Sequence, residues 1–421
     1  MFFEFGVTTL YYDFVVVGGG VGGGEASVRL ARFFNKPTLL ISDYPLVYSR
    51  MTLSYGLKQG VKTVDPYVVY TPEDLRGEGV TFIHDRVVAV EPDRNTVILG
   101  SGGRVEYGVL VLATGSKARF LDIDGVSLKG VFTFQTFTDM LGLSSVAEPG
   151  RRALVAGTGM IGLLVSDALS ARGVKVYTVD ILPLPGLTAV EEPLARTILN
   201  KMKLKGVEFM GGVTVEKLKG DRRVEEAILT NGERLQVDFV VFSVGVVPNI
   251  PQGLEGLVKS REGALLTDNL FRTSRRDIYA IGDCATTMDL QTGESIYRPL
   301  GIIASYAAKL LPKAMEGVGY QGFLAYQVEE AFSVLFMRVG LNGLEARRLG
   351  VNYSYALVEL KVPGVGVTRN LVVYEKGSGR LLGWQSVGGY MASYKSKVFE
   401  HMIKSGMRLE DLEEKGFKVL E

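Results

Sequence analysis

The chain has 421 residues, 47% of them apolar, and a formal charge of +1. That length suits about three domains, and the near-neutral balance gives no broad pull toward nucleic acid or a membrane surface. A single cysteine, Cys284, excludes an intramolecular disulfide, and with only two histidines beside it no metal site is expected.

The opening Met1-Phe2-Phe3-Glu4-Phe5 lacks the basic start and long apolar run of a secretory signal, so it reads as an extra strand or a packed arm. No run approaches the ~18 apolar residues of a spanning helix, so no integral membrane segment is expected. The expected setting is a reducing cytoplasm.

Phe14 to Val17 reads as a short buried strand. It runs into Gly18-Gly19-Gly20-Val21-Gly22-Gly23, a G-x-G-x-x-G frame that opens a helix from Val21 to Phe34. Gly18 permits the tight turn, Gly20 lets the backbone approach a pyrophosphate, and Gly23 lets the helix pack on the strand. The amides of Val21 and Gly22 belong to the helix N-terminus that would face the phosphates. Thr38 to Ile41 reads as the second strand. Beyond it a ribose-binding residue is expected, and either Ser42 or Asp43, 19 and 20 positions after Gly23, could serve.

Val109 to Leu112 is another buried strand and ends in the small-residue turn Ala113-Thr114-Gly115. Arg152 to Ala156 then leads into a second frame, Gly157-Thr158-Gly159-Met160-Ile161-Gly162, with a helix from Leu163 to Arg172. Gly173 fits its C-cap. The strand Val174 to Val179 ends at Asp180, 18 positions after Gly162, where a ribose carboxylate belongs. A carboxylate there accepts from free 2′ and 3′ hydroxyls and repels a 2′-phosphate. Ile181-Leu182-Pro183 supplies no arginine to hold one, so NADH is preferred over NADPH. Gly245, in the strand that closes this segment, reads as a purely conformational glycine at the crossing back out.

Ile278 to Ile281 leads into Gly282-Asp283, a strand-end carboxylate suited to a polyol hydroxyl. Cys284 beside it reads as a small packing residue. Arg298 to Met315 reads as a proline-started helix whose amides at Leu300 and Gly301 would favour negative charge on a reduced ring. After Phe323 come strands at Phe332 to Val339, Tyr353 to Lys361, Arg369 to Glu375 and Arg380 to Val387. A short helix starts at Asn342, and a terminal helix runs from Ala392 to Lys404.

This order of motifs resembles the pyridine nucleotide-disulphide oxidoreductase family over nearly the whole chain. The resemblance implies an α/β architecture of two Rossmann-like dinucleotide-binding domains plus an α+β interface domain. Residues 1–120 and 249–322 would form the FAD domain, 121–248 the inserted NAD domain, and 323–421 an interface domain that makes homodimers. It further implies that Asp283 binds the ribityl chain, that Ala113 to Gly115 lie near FAD, and that Val87 meets the adenine through its backbone. For Gly245 it implies a nicotinamide contact instead of a purely conformational role. Tyr48-Ser49-Arg50-Met51-Thr52-Leu53-Ser54 is similar to the Y-x-R-x-x-L-S segment of rubredoxin and ferredoxin reductases, which implies that Arg50 contacts the flavin or its pyrophosphate.

Two departures stand out. Met51 falls where the NADH oxidase and coenzyme A disulphide reductase branch carries a redox cysteine, and a thioether cannot replace a thiolate. Tyr55 and Leu164 occupy the positions of a lysine–glutamate pair near the flavin N5 and the nicotinamide. Arg50, Met51, Tyr55 and Leu164 are therefore flavin-adjacent candidates, with no certain catalytic residue among them. The expected activity is an FAD-dependent NADH oxidoreductase passing electrons to oxygen, with peroxide as product, or to a small redox protein. An NADH:quinone dehydrogenase and a non-catalytic NADH-binding flavoprotein are the alternatives.

Overall fold

The computed structural model describes residues 10–362, 366–388 and 396–420. The N-terminal arm and residues 392–395 of the expected terminal helix lie outside them. The chain divides into two compact units. One is made of the chain up to Met51, Thr63–Lys117 and Val247–Phe323; the other of Thr52–Lys62, Ala118–Val246 and the chain from Leu324 onward.

The first unit is built on a sheet in the order Val80–His84, Thr38–Ser42, Leu10–Val17, Arg104–Leu112, Thr96–Leu99, Val87–Glu91. Its first four strands run parallel. The long strand Arg104–Leu112 has two partners on its far side: Thr96–Leu99 antiparallel along its first half, Ile278–Ala280 parallel along its last three residues. Alternate residues of the first strand feed opposite faces. Phe14 and Val16 pack with Leu30, Ala307 and Leu311; Val15 and Val17 pack with Leu110, Leu112 and Cys284. Both faces are covered, which is why these parallel strands read as unbroken apolar runs. The first strand begins at Leu10 rather than Phe14, because its early residues pair with Val105 to Tyr107.

The second unit holds a five-stranded parallel sheet in the order Val131–Thr133, Phe239–Phe242, Arg152–Ala156, Lys175–Asp180, Glu208–Gly211. A three-stranded antiparallel sheet accompanies it, at Val215–Lys219, Glu226–Leu229 and Arg234–Gln236. The rest of the unit is a six-stranded sheet in the order Tyr326–Ala331, Val334–Gly340, Leu381–Gly388, Gly366–Glu375, Tyr353–Val362, Phe417–Leu420. Two of these strands were not expected. Tyr326–Ala331 precedes Val334–Gly340 in a hairpin whose turn residues, Phe332 and Ser333, sit at φ 54° and 59°. Phe417–Leu420 pairs with Leu357 to Leu360. Trp384 is buried, its ring stacked 3.9 Å from Phe399, and its N–H donates to Asn370 Oδ1. Among the described residues no helix is long and apolar enough to cross a membrane.

Candidate functional site: two glycine cradles

The helix Val21–Phe34 starts from Gly20, with no side chain on its free N–H groups and no acidic residue in its first turn. The amides of the first turn are therefore left for a ligand. The three fingerprint glycines do different work. Gly18 sits at φ +113°, and a Cβ there would lie 2.2 Å from Ala113 O. A Cβ on Gly23 would lie 1.8 Å from Gly18 O, so only glycine lets helix and turn touch. At Gly20 nothing lies within 4 Å of the point where a Cβ would stand. The turn is closed against the protein and open at its middle glycine. Gly22 packs instead on Ala304.

At the end of the second strand, Ser42 is buried against Gly19 and its Oγ accepts the Tyr44 N–H at 3.1 Å. Asp43 is exposed and faces Arg86 at 3.7 Å. The strand end thus offers a buried hydroxyl and an exposed carboxylate, and both stay candidates for the ribose. Val87 opens the strand Val87–Glu91, opposite Leu99.

Ala113, Thr114 and Gly115 form a turn that sequence reading placed but did not explain. Asn249 holds it: the Thr114 hydroxyl donates to Asn249 O, Asn249 Nδ2 donates to Thr114 O at 3.2 Å, and Asn249 N donates to Gly115 O at 2.9 Å. Gly282 to Cys284 make a short 3-10 turn. Desolvation pushes the Asp283 carboxyl above the usual carboxylate range, opposed by a hydrogen bond from Ser116 Oγ at 2.9 Å and by the charge of Arg50. Arg50 is exposed and makes no ion pair among the described residues, leaving its guanidinium available to an anion. Cys284 is buried, with its thiol pushed up by desolvation and donating to Leu112 O and Ile281 O. Its packing geometry is that of a small apolar side chain.

The helix after this turn runs Gly301–Met315, with Leu300 as an extended N-cap. It is not proline-started as the sequence suggested: Pro299 lies one residue before the cap, because Leu300 holds φ −126°, ψ 122°. The open amides are therefore those following Leu300 and Gly301. Met51 packs on this end, its Sδ 3.1 Å from where a Gly301 Cβ would be.

The second cradle repeats the first. Gly157 has φ +93°, a Cβ on Gly162 would lie 2.0 Å from Gly157 O, and at Gly159 the nearest atom is Thr188 Oγ1, 3.5 Å away. The helix begins at Met160, three residues earlier than expected, since Gly159 is already its N-cap; Ile161 lies exposed in its first turn. Gly173, past its end, has φ +79°. Asp180 is fixed in place: Oδ2 accepts the Thr158 N–H and hydroxyl, both at 2.7 Å, and Oδ1 accepts the Leu182 N–H at 2.9 Å. Three of about four acceptor positions are filled, which orients the carboxylate and leaves capacity for a hydroxyl. Ser243 was missed from sequence; its Oγ donates to Gly157 O at 2.9 Å and backs the turn. Gly245 has φ +101° and is exposed, a conformational reason for glycine that needs no ligand.

The helix Leu53–Gln59 packs in the second unit. Tyr55 and Leu164 carry no charge pair, and the Tyr55 hydroxyl donates to Glu330 Oε2 at 3.5 Å. The helices that carry these two residues are nevertheless joined by an ion pair that the sequence reading did not anticipate. One turn further along each, Lys58 Nζ meets Asp167 Oδ2 at 2.8 Å. Arg172 reinforces this joint, donating to Leu57 O, to Ser144 O and Oγ, and to Ala147 O.

Both cradles suit a dinucleotide pyrophosphate: an open middle glycine, free helix amides, and an aspartate or serine at the following strand end. Residues 12–299 match the model of the family described as pyridine nucleotide-disulphide oxidoreductase. An NADH oxidase of Methanocaldococcus jannaschii is 26% identical over 416 residues, covering 94% of this chain and 92% of that one. A rubredoxin-NAD(+) reductase of Pseudomonas putida is 28% identical over 287 residues, covering 67% and 74%. Among solved structures, an NAD-dependent persulfide reductase from A. fulgidus superposes with a TM-score of 0.88 at 26% identity, covering 95% of this chain and 78% of that one. With two such cradles in one chain and a match over most of its length, the protein belongs to the pyridine nucleotide-disulphide oxidoreductase family and shares its FAD- and nicotinamide-dependent oxidoreductase chemistry.

Proposed function

We propose that this enzyme oxidises NADH through FAD and passes the electrons to dioxygen or a small redox carrier without a thiol relay. FAD, when bound, supplies the means to take a hydride and release electrons onward. The first cradle, with Arg50, Ala113 to Gly115 and Asp283, holds FAD; the second, with Asp180, holds NADH. Residues 1–120 and 249–322 act as the FAD domain, 121–248 as the NAD domain, and 323–421 as the interface of a homodimer. The observation that carries the acceptor reading concerns sulfur. By the motif resemblance, Met51 falls at the position of the redox cysteine of the NADH oxidase and coenzyme A disulphide reductase branch, and Cys284, the chain's one thiol, is buried and donates to two backbone carbonyls. No thiolate then stands ready to reduce peroxide to water and be oxidised to a sulfenate in doing so.

With dioxygen, NADH + H⁺ + O2 gives NAD⁺ + H2O2, one peroxide per NADH. An oxygen-electrode assay with catalase added at the end tests this: half of the consumed oxygen returns. Oxygen that does not return marks water as the product and refutes the proposal. The same assay compares the two nicotinamides. Asp180 would repel a 2′-phosphate, so kcat/KM for NADPH falls well below that for NADH.

A further inference from the structure

The loop from Ile181 to Glu191 follows the ribose aspartate and bends back over the second cradle. The Gly186 N–H donates to Thr158 O at 2.9 Å, which pins the loop to the fingerprint turn. The strand Leu381–Gly388 and the short helix Gly343–Arg348 with its N-cap Asn342, both of the same unit, hold its far end. Asn342 Nδ2 donates to Thr188 O at 2.9 Å, the Glu191 N–H donates to Gln385 Oε1 at 2.8 Å, and Glu191 Oε1 accepts the Gly343 N–H at 2.6 Å. Thr188 is exposed, and its hydroxyl has no hydrogen-bond partner among the described residues. Among the described residues that hydroxyl, 3.5 Å away, is also the nearest group from outside the turn and its helix to the point where a Gly159 Cβ would stand. A loop fixed at three points thus carries a free donor to the single open position of the cradle.

We infer that Thr188 is a dinucleotide-binding residue whose hydroxyl donates to the NADH pyrophosphate, with Asn342 and Gln385 as positioning residues that set its height over Gly159. This rests on the second cradle being the NADH site. A hydroxyl donating to an ionised phosphate oxygen makes a charge-assisted hydrogen bond, and its loss weakens binding roughly ten-fold or more. The probes are ADP-ribose, which has the pyrophosphate, and adenosine, which has the same nucleoside and no phosphate.

The test is calorimetric titration of the FAD-loaded protein and its Thr188→Val and Thr188→Ser variants. Thr188→Val is expected to weaken ADP-ribose about ten-fold and to leave adenosine nearly unchanged. Thr188→Ser, which keeps the hydroxyl, retains wild-type affinity for both. Asn342→Leu weakens ADP-ribose by less than Thr188→Val does, since it frees the loop but keeps the donor. Steady-state kinetics should show the Thr188→Val loss in KM for NADH, with kcat and FAD content unmoved. Equal losses for adenosine and ADP-ribose, or no loss for either, overturn the role given to Thr188. Failure of the wild-type protein to bind either probe overturns the reading of the cradle itself.

Discussion

Replacing Gly20 by alanine, and separately Gly23, sets the two jobs of the first fingerprint against each other. At Gly20 the backbone has φ −77° and ψ 177°, open to any residue, and a methyl would meet nothing within 4 Å. Two small effects act on the empty fold. Stiffening the unfolded chain contributes about 0.4–1 kcal/mol of stability. Alanine is a poorer N-cap than glycine, at a cost on the order of 1 kcal/mol. They nearly cancel, so apo Gly20→Ala should unfold within a few degrees of wild type. The methyl does, however, occupy the space through which a pyrophosphate reaches the helix amides. Losing one such charge-assisted bond costs about 1.5–3 kcal/mol, a rise in Kd of roughly ten- to a hundred-fold. At Gly23 the order reverses. The added Cβ would sit 1.8 Å from a backbone oxygen that cannot move aside. Overpacking of about 1–3 kcal/mol then outweighs a helix-propensity gain of about 1 kcal/mol, and the apo protein itself should be destabilised. Flavin titration of the apoprotein and its thermal unfolding read out the two quantities separately. Wild-type FAD affinity in Gly20→Ala would refute the assignment of the open glycine to the pyrophosphate.

Asp283→Asn should stabilise the apoprotein at neutral pH and weaken FAD. The folded carboxyl is raised by desolvation. Its contribution to apo stability is thus complete below the ordinary carboxylate value and is lost as pH rises through the raised one. Thermal scans from acid to neutral pH should show the variant's advantage appear as pH rises; a constant difference would remove desolvation as the cause. Lys58→Ala leaves the Asp167 carboxylate, on a buried residue, without its cation. With the lysine partly exposed, screening holds the cost to about 1–2 kcal/mol, and Lys58→Met with Asp167→Leu together should recover most of it. Chemical denaturation of the three proteins decides; a double variant as unstable as Lys58→Ala would show that packing, not charge, holds the joint.

Legibility in the sequence followed local chemistry. Each fingerprint strand, turn and helix could be read because apolar β-branched residues, three glycines and a strand-end aspartate or serine each act within some thirty residues. The Asn249 clamp on the Thr114 turn spans 135 positions, and the Lys58–Asp167 pair spans 109. No spacing rule reaches that far. The hairpin at Phe332-Ser333 was hidden for another reason. A tight turn with two positive φ angles normally announces itself with glycine or asparagine; here a buried phenylalanine and a serine adopt it. The final strand, Phe417–Leu420, is short and follows a charged stretch, so only its partner at Leu357 to Leu360 defines it. The helix Leu53–Gln59, adjacent in sequence to Met51, belongs by its contacts to the other unit. Only tertiary packing reveals that allegiance.

The two-partner strand Arg104–Leu112 imposes an order of events on the ribosome. Its last three residues stay unpaired on one side until Ile278–Ala280 has been made, and every strand of the five-stranded parallel sheet is synthesised in between. During that interval Leu110, Val111 and Leu112 present an apolar parallel edge, the kind that recruits other chains. The later sheet, whose strands lie between Val131 and Phe242, can close first. Truncations that end before Ile278 should therefore aggregate through the earlier half of the nascent chain, although it was made first.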